Sequence, residues 1–153
     1  MKSHFRQWGV AAVEFAILLP VLLLIVFGIT EFGRALYNYN TLVKAARDAA
    51  RYYATQQPGN PPAKETEIQN LAVFGNTAGT GNPLAPGLAT TMVTLCDWTS
   101  CPATHQAQGA APVVNLVTVT ISGYTFQSFV PFVTANLSSF AFAPISSTMK
   151  GIL

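Results

Sequence analysis

Residues 10–29 read VAAVEFAILLPVLLLIVFGI, and Glu14 is the only charged residue among them. At a rise of 1.5 Å per residue, a helix of about 20 residues spans roughly 30 Å, the thickness of a bilayer's hydrocarbon core. A cleavable secretory signal has a shorter apolar region, of about 7–15 residues, and closes on small residues at an A-x-A-like site. This run closes instead on Phe27-Gly28-Ile29-Thr30-Glu31. The core helix of a soluble protein would carry polar punctuation on one face. The stretch therefore predicts a transmembrane helix. Pro20 lies inside it and removes one backbone donor, which predicts a bend. A membrane helix tolerates this when its neighbours satisfy the freed carbonyl.

On the N-terminal side stands a short head, MKSHFRQWG, with Lys2 and Arg6 and no acidic residue. On the other side stand Arg34, Lys44 and Arg47. Lys and Arg alone do not choose an orientation here. The head is too short to be a domain, and the cysteines further on suit an oxidising exterior. The N-terminus is accordingly expected in the cytoplasm, with the rest of the chain extracytoplasmic. Composition agrees with an anchored chain. Only 9% of the 153 residues are charged, against about 25% in a soluble domain. The formal charge of +2 is too small to imply a nucleic-acid partner.

Glu14 is the odd residue in the run. A carboxylate costs about 2–3 kcal/mol at the centre of a membrane helix and less near an interface. One reading is that it snorkels to the headgroups. The other depends on Gly9, which sits at the boundary between the basic head and the apolar run. A cut after Gly9 makes Val10 the first mature residue and Glu14 the fifth. The new α-amine, with a pKa of about 7.7–8.0, is largely protonated at neutral pH. Glu14 can then pair with such an amine in its own chain or in the next subunit, offsetting much of the burial cost.

Gly9-x-x-x-x-Glu14 at this boundary resembles the signals cut by prepilin peptidases. The longer order of motifs is more specific. It runs Gly9, Ala12-Val13-Glu14-Phe15-Ala16, Pro20, Glu31-Phe32-Gly33-Arg34, and then Ala45-Ala46-Arg47-Asp48-Ala49-Ala50-Arg51. This order resembles the TadE-like pseudopilins of the tight-adherence (Flp-type) pilus system and covers about the first third of the chain. The resemblance implies a minor pilin-like subunit made as a precursor and cut by the system's prepilin peptidase. It places the processing site at Gly9 and Val10, and an assembly role at Glu14 and Phe15. Phe15 stands where major pilins of the system favour tyrosine, which argues against a major pilin more than against a pseudopilin. The implied partners are the membrane, the prepilin peptidase, other pilin-like subunits and the assembly platform.

The helix is expected to continue past the membrane to about Thr55, giving roughly 70 Å in all. Phe32, Leu36, Tyr39, Val43, Ala46, Ala50 and Tyr53 recur at spacings of four and three, forming one helix face. That stripe either covers the chain's own sheet or forms a seam with other pilin-like helices. Pro58-Gly59-Asn60-Pro61-Pro62 ends the helix. Beyond it, 65–74 predicts a second helix and 75–87 a loop. Strands are predicted over 88–95, 113–126 and 145–150, the last at an edge. In the second of these, Val117, Val119 and Ile121 alternate with Thr118, Thr120 and Ser122. The segment 126–142 holds five phenylalanines, either as a core-covering loop or as an exposed apolar patch.

Cys96 and Cys101 flank Asp97-Trp98-Thr99-Ser100. They read as a short disulfide loop in an oxidising compartment. Metal binding with His105 would supply three ligands where a closed zinc site needs four, and free thiols are the remaining alternative. The chain has no paired carboxylates with a plausible acid–base arrangement and no phosphate-cradling glycine loop. An enzyme, a cofactor and a small-molecule substrate are therefore not expected. The expected fold is α+β and pilin-like, a long N-terminal transmembrane and amphipathic helix with a small antiparallel sheet domain. The expected divisions are a leader at 1–9, the helix at 10–57 and a strand-rich extracytoplasmic domain at 58–153. The expected function is that of a membrane-anchored, processed structural subunit in pilus assembly. The alternative is an unprocessed single-span anchor whose outer domain binds an envelope or secretion partner.

Overall fold

The computed structural model describes residues 5–57, 59, 62–105, 115–130 and 139–152. Helix α1 (Phe5–Ala54) runs unbroken through the apolar stretch and through Pro20. It begins at Phe5 rather than at Val10 and ends where the sequence expects. The amides of Thr55 and Gln56 close its last turn onto the carbonyls of Tyr52 and Tyr53, at 3.1 and 2.9 Å. Gly59 then takes φ +70°, a left-handed value that suits glycine and cannot extend a right-handed helix. Helix α2 (Pro62–Phe74) opens on a proline, which loses nothing at a position whose N–H has no helical partner. It closes on Gly75, at φ +73°, whose amide still reaches Leu71 at 3.0 Å.

Next come β1 (Val93–Cys96), the short helix α3 (Pro102–His105), β2 (Asn115–Ile121), β3 (Thr125–Gln127), β4 (Ser139–Ala141) and β5 (Ile145–Gly151). Strands β1, β2 and β5 form an antiparallel sheet with β2 in the centre, and β3 pairs with β4. The architecture is α+β, a long N-terminal apolar helix followed by a small antiparallel sheet. In β2, Val117, Val119 and Ile121 are buried while Thr118 and Thr120 are half-buried, as their alternation requires.

Two strand boundaries differ from expectation. The strand expected over 113–126 stops at Ile121, and residues 113 and 114 lie outside the described residues. Ser122 donates to the carbonyl of Met92 at 2.9 Å, and Gly123 turns the chain at φ +75°. A residue in that region cannot prolong a flat ladder, so Thr125–Gln127 starts a separate pairing. The strand expected over 88–95 begins only at Val93. Thr90–Met92 form a 3₁₀ turn just before it, with the Met92 amide on Ala89 at 3.0 Å.

The chain divides into two compact units, Met1–Leu36 with Gln127–Ser139, and Tyr37–Phe126 with Phe140–Leu153. The second holds the core. Leu42, Ala45, Ala46, Ala49, Ala50 and Tyr53 are buried along α1, with Ile68, Ala72 and Val73 along α2. Val93, Val117, Val119, Ile121 and Ile145 are buried in the sheet. Alanines on the α1 face keep the helix backbone close to whatever covers it. Polar ties join distant segments of this unit. Asn115 donates through Nδ2 to the carbonyl of Ile152 at 2.9 Å, and the Ile152 amide donates to Ala54 at 3.1 Å. Asn115 pairs with Gly151 in register, and a Cβ at Gly151 would lie 2.8 Å from that same Nδ2. Aromatic rings pack around Phe142, with the centroids of Tyr39, Tyr124 and Phe140 at 5.7, 5.4 and 5.4 Å.

Candidate membrane and assembly site

Every residue of α1 from Gly9 to Phe27 is exposed. This sleeve of Val, Leu, Ile and Phe is far larger than the apolar patches a soluble monomer leaves bare, and it requires a partner that is itself apolar. α1 is long and apolar enough to cross a membrane. Its polar groups are handled locally. Thr30 donates through Oγ1 to the carbonyl of Val26 at 2.9 Å, which hides a hydroxyl at the end of the run.

The predicted processing and assembly residues lie together at the start of this sleeve. Gly9 sits in open surroundings, with nothing within 4 Å of the place a Cβ would take. Val10 and Glu14 are one helical turn apart and share a face. Both are exposed, as is Phe15. Glu14 has no side-chain partner among the described residues.

Just past Ile29 the two faces of α1 diverge. Glu31 and Ala35 are buried, at 6% and 8% exposure, while Phe32 is 71% and Leu36 50% exposed. The cover over Glu31 comes from the segment after β3. Glu31 accepts from Arg34 at 2.6 Å through Oε1 and from the Phe129 amide at 3.2 Å through Oε2. The Arg34 guanidinium lies 3.8 Å from the centroid of the Phe129 ring, within cation–π reach. This clamp gives a structural use to two positions of the Glu31-Phe32-Gly33-Arg34 motif. Its sequence signal was an acid and a base at i, i+3 directly after an apolar run. The third member, Phe129, gave no such signal.

The predicted helix stripe is placed as follows. Ala46, Ala50 and Tyr53 are buried, Val43 is half-buried, and Phe32, Leu36 and Tyr39 are exposed. The buried line of α1 runs instead from Asn38 through Leu42 and Ala45 to Ala49 before it shares Ala46, Ala50 and Tyr53. Periodicity alone did not select it, because Asn38 is polar. Its side chain reaches the Tyr124 hydroxyl at 3.4 Å, and that hydroxyl donates to the carbonyl of Pro86 at 3.1 Å.

Cys96 and Cys101 form a disulfide. His105 lies near both sulfurs, but these are bonded to each other and hold no free thiolate. The imidazole is engaged on both nitrogens, by Thr104 and Thr118 at 2.7 Å each. Inside the disulfide loop Asp97 is 2% exposed. Its Oδ1 accepts from the amides and hydroxyls of Thr99 and Ser100 at 2.7–3.0 Å, and its Oδ2 accepts from the Gly59 amide at 3.0 Å. Burial alone would raise its pKa. The donors from Gly59, Thr99 and Ser100 outweigh that and hold it well below the usual carboxylate range. Burial, with Asp97 nearby, pushes the Tyr53 hydroxyl up. A half-open cavity of about 250 Å³ adjoins these groups, with Glu65, Gln69 and Val93 also in its wall. Asp97 is committed to its own loop by these donors and is not free for acid–base work.

The family model TadE, described as TadE-like protein, matches residues 9–51. Comparison with curated proteins and with solved structures gave no match. The matched segment contains the whole exposed sleeve, Gly9, Glu14, the Glu31–Arg34 pair and most of the alanine-rich buried face. Over residues 9–51, and over that segment alone, the chain is similar to the TadE-like family.

Proposed function

We propose that this protein is a membrane-anchored, pilin-like subunit that works in assembly of a Tad-type pilus and acts as a structural part, not as an enzyme. The observation that carries the reading is the exposed apolar sleeve with one carboxylate in it, lying wholly inside the TadE-like segment. In this reading α1 crosses the bacterial inner membrane once, the basic head stays in the cytoplasm, and the disulfide-bearing region is extracytoplasmic. Residues 1–9 are a leader that a prepilin peptidase removes after Gly9. Glu14 then meets the charged amine of Val10, most favourably on a neighbouring pilin-like subunit. The partners are those subunits and the assembly platform.

Glu14→Ala tests the assembly role. The substitution makes the segment more apolar, so membrane insertion is retained. In the bilayer alone the carboxylate can reach the headgroups by snorkelling. In an assembly, its removal leaves a buried amine unpaired, a loss of about 3–5 kcal/mol. The variant is expected to fractionate with membranes as the parent does and to fail to co-purify with its pilus partners. Glu14→Gln is expected to show a milder form of the same defect. Normal co-purification of Glu14→Ala at normal expression contradicts the assembly role and favours an unprocessed anchor.

A further inference from the structure

The Glu31–Arg34–Phe129 clamp lies just beyond the membrane run. Glu31 is two residues past Ile29, about 3 Å further along the axis at helical rise. Its carboxylate holds the Phe129 amide, and the Arg34 guanidinium stacks on the Phe129 ring. Even so, Phe129 as a residue is 76% exposed. An aromatic side chain tied on both its backbone and its ring, yet left bare, is positioned and not merely uncovered. The helix face beside it is bare as well. Ile29, Phe32 and Leu36 share one face at spacings of three and four, and they are 69%, 71% and 50% exposed. That face continues the lipid-facing sleeve without a break.

We infer that the 127–130 segment is a membrane-seating collar, in which Phe129 enters the headgroup–acyl boundary of the outer leaflet and fixes how deep α1 sits. The occupant of this patch is the bilayer interface. Continuity with the membrane run favours it, and so does the pairing of an apolar ring with a guanidinium, since such amphipathic groups gather at that depth. Glu31 is a positioning residue: it holds the segment against the helix and itself stays out of lipid.

The inference rests on the membrane-anchor reading, and one experiment separates the two. The full chain is reconstituted in phosphatidylcholine–phosphatidylglycerol vesicles with a nitroxide on Val130→Cys, on Ile29→Cys or on the exposed strand position Ser146→Cys. The native cysteines are bonded to each other and do not label. Accessibility to oxygen, which partitions into lipid, is compared with accessibility to a water-soluble nickel complex. The 130 label is expected to favour oxygen, as the 29 label does, while the 146 label favours nickel. Adding Phe129→Ser or Glu31→Gln is expected to bring the 130 label to the 146 value and leave the 29 label in lipid. If the 130 label matches the 146 label in the parent chain while the 29 label stays in lipid, the collar is overturned and the anchor stands. If the 29 label is also in water, both fall. A 130 label shielded from both reagents, with concentration-dependent spin–spin broadening, assigns the patch to a second copy of the chain and overturns the collar.

Discussion

Three carboxylates meet low-dielectric surroundings in three different ways. Asp97 is buried and keeps its charge because Gly59, Thr99 and Ser100 all donate to it. Glu31 is buried, which alone would disfavour its charge, but the Ser128 side chain, the Arg34 guanidinium and the Phe129 amide hold it ionised. Glu14 is exposed on an apolar helix with no partner of its own among the described residues, and in the proposed assembly its partner is the amine of Val10 on a neighbouring subunit. For Asp97 the consequence is a stability that depends on pH. Its folded pKa lies below the unfolded value of about 3.9. The unfolded chain therefore binds a proton first as the medium is acidified, and the contribution, present above about pH 4, is lost as the pH falls toward the folded value. Asp97→Asn keeps one acceptor but turns an amide toward the Gly59 N–H, donor against donor. It is expected to destabilise the protein by about 1–3 kcal/mol at pH 7 and to flatten the acid limb of the stability curve. Chemical unfolding in detergent at pH 7 and pH 3 checks both. An unchanged midpoint at pH 7 contradicts this account of Asp97.

At the scale of elements, α1 changes its task along its length. Residues 9–27 are bare, and its second half is packed through small side chains. Ala49 is fully buried, so Ala49→Leu forces a branched side chain into a filled site and is expected to cost about 1–3 kcal/mol. Phe32→Ala, on the bare face, is expected to leave the unfolding midpoint within about 0.5 kcal/mol of the parent. Equal losses from both would contradict the division of faces. The helix was legible in the sequence because 20-residue apolarity and helical rise are local facts. So was the centre of β2, because Val117, Val119 and Ile121 alternate with threonines. Strand ends were less legible. Gly123 closes a strand by its backbone conformation, and a lone buried Leu88 resembles a strand residue until Val93 finds its partner Ile121. The long-range ties of two buried polar groups, Asp97 and Asn115, were not legible. Asp97 depends on Gly59 and Asn115 on Ile152, and such pairings exist only once distant segments meet. Within the candidate site, Gly9, Glu14 and the Glu31–Arg34 pair were visible as motifs, whereas Phe129 joins them only through the fold.

At the scale of the molecule, each region has a distinct physical role. The sleeve supplies affinity for an apolar environment. The unit around the sheet supplies a folded body closed by the Cys96–Cys101 disulfide, which suits an oxidising compartment. The first nine residues supply a basic head whose removal would create a new charge at Val10, one helical turn from Glu14. Glu14 has an assembly role of the proposed kind only if that charge exists. The most direct measurement is therefore the intact mass of the protein extracted from membranes of cells with an active prepilin peptidase. A chain that begins at Val10, lighter by residues 1–9, is the expected result. A full-length chain in those same membranes would contradict it.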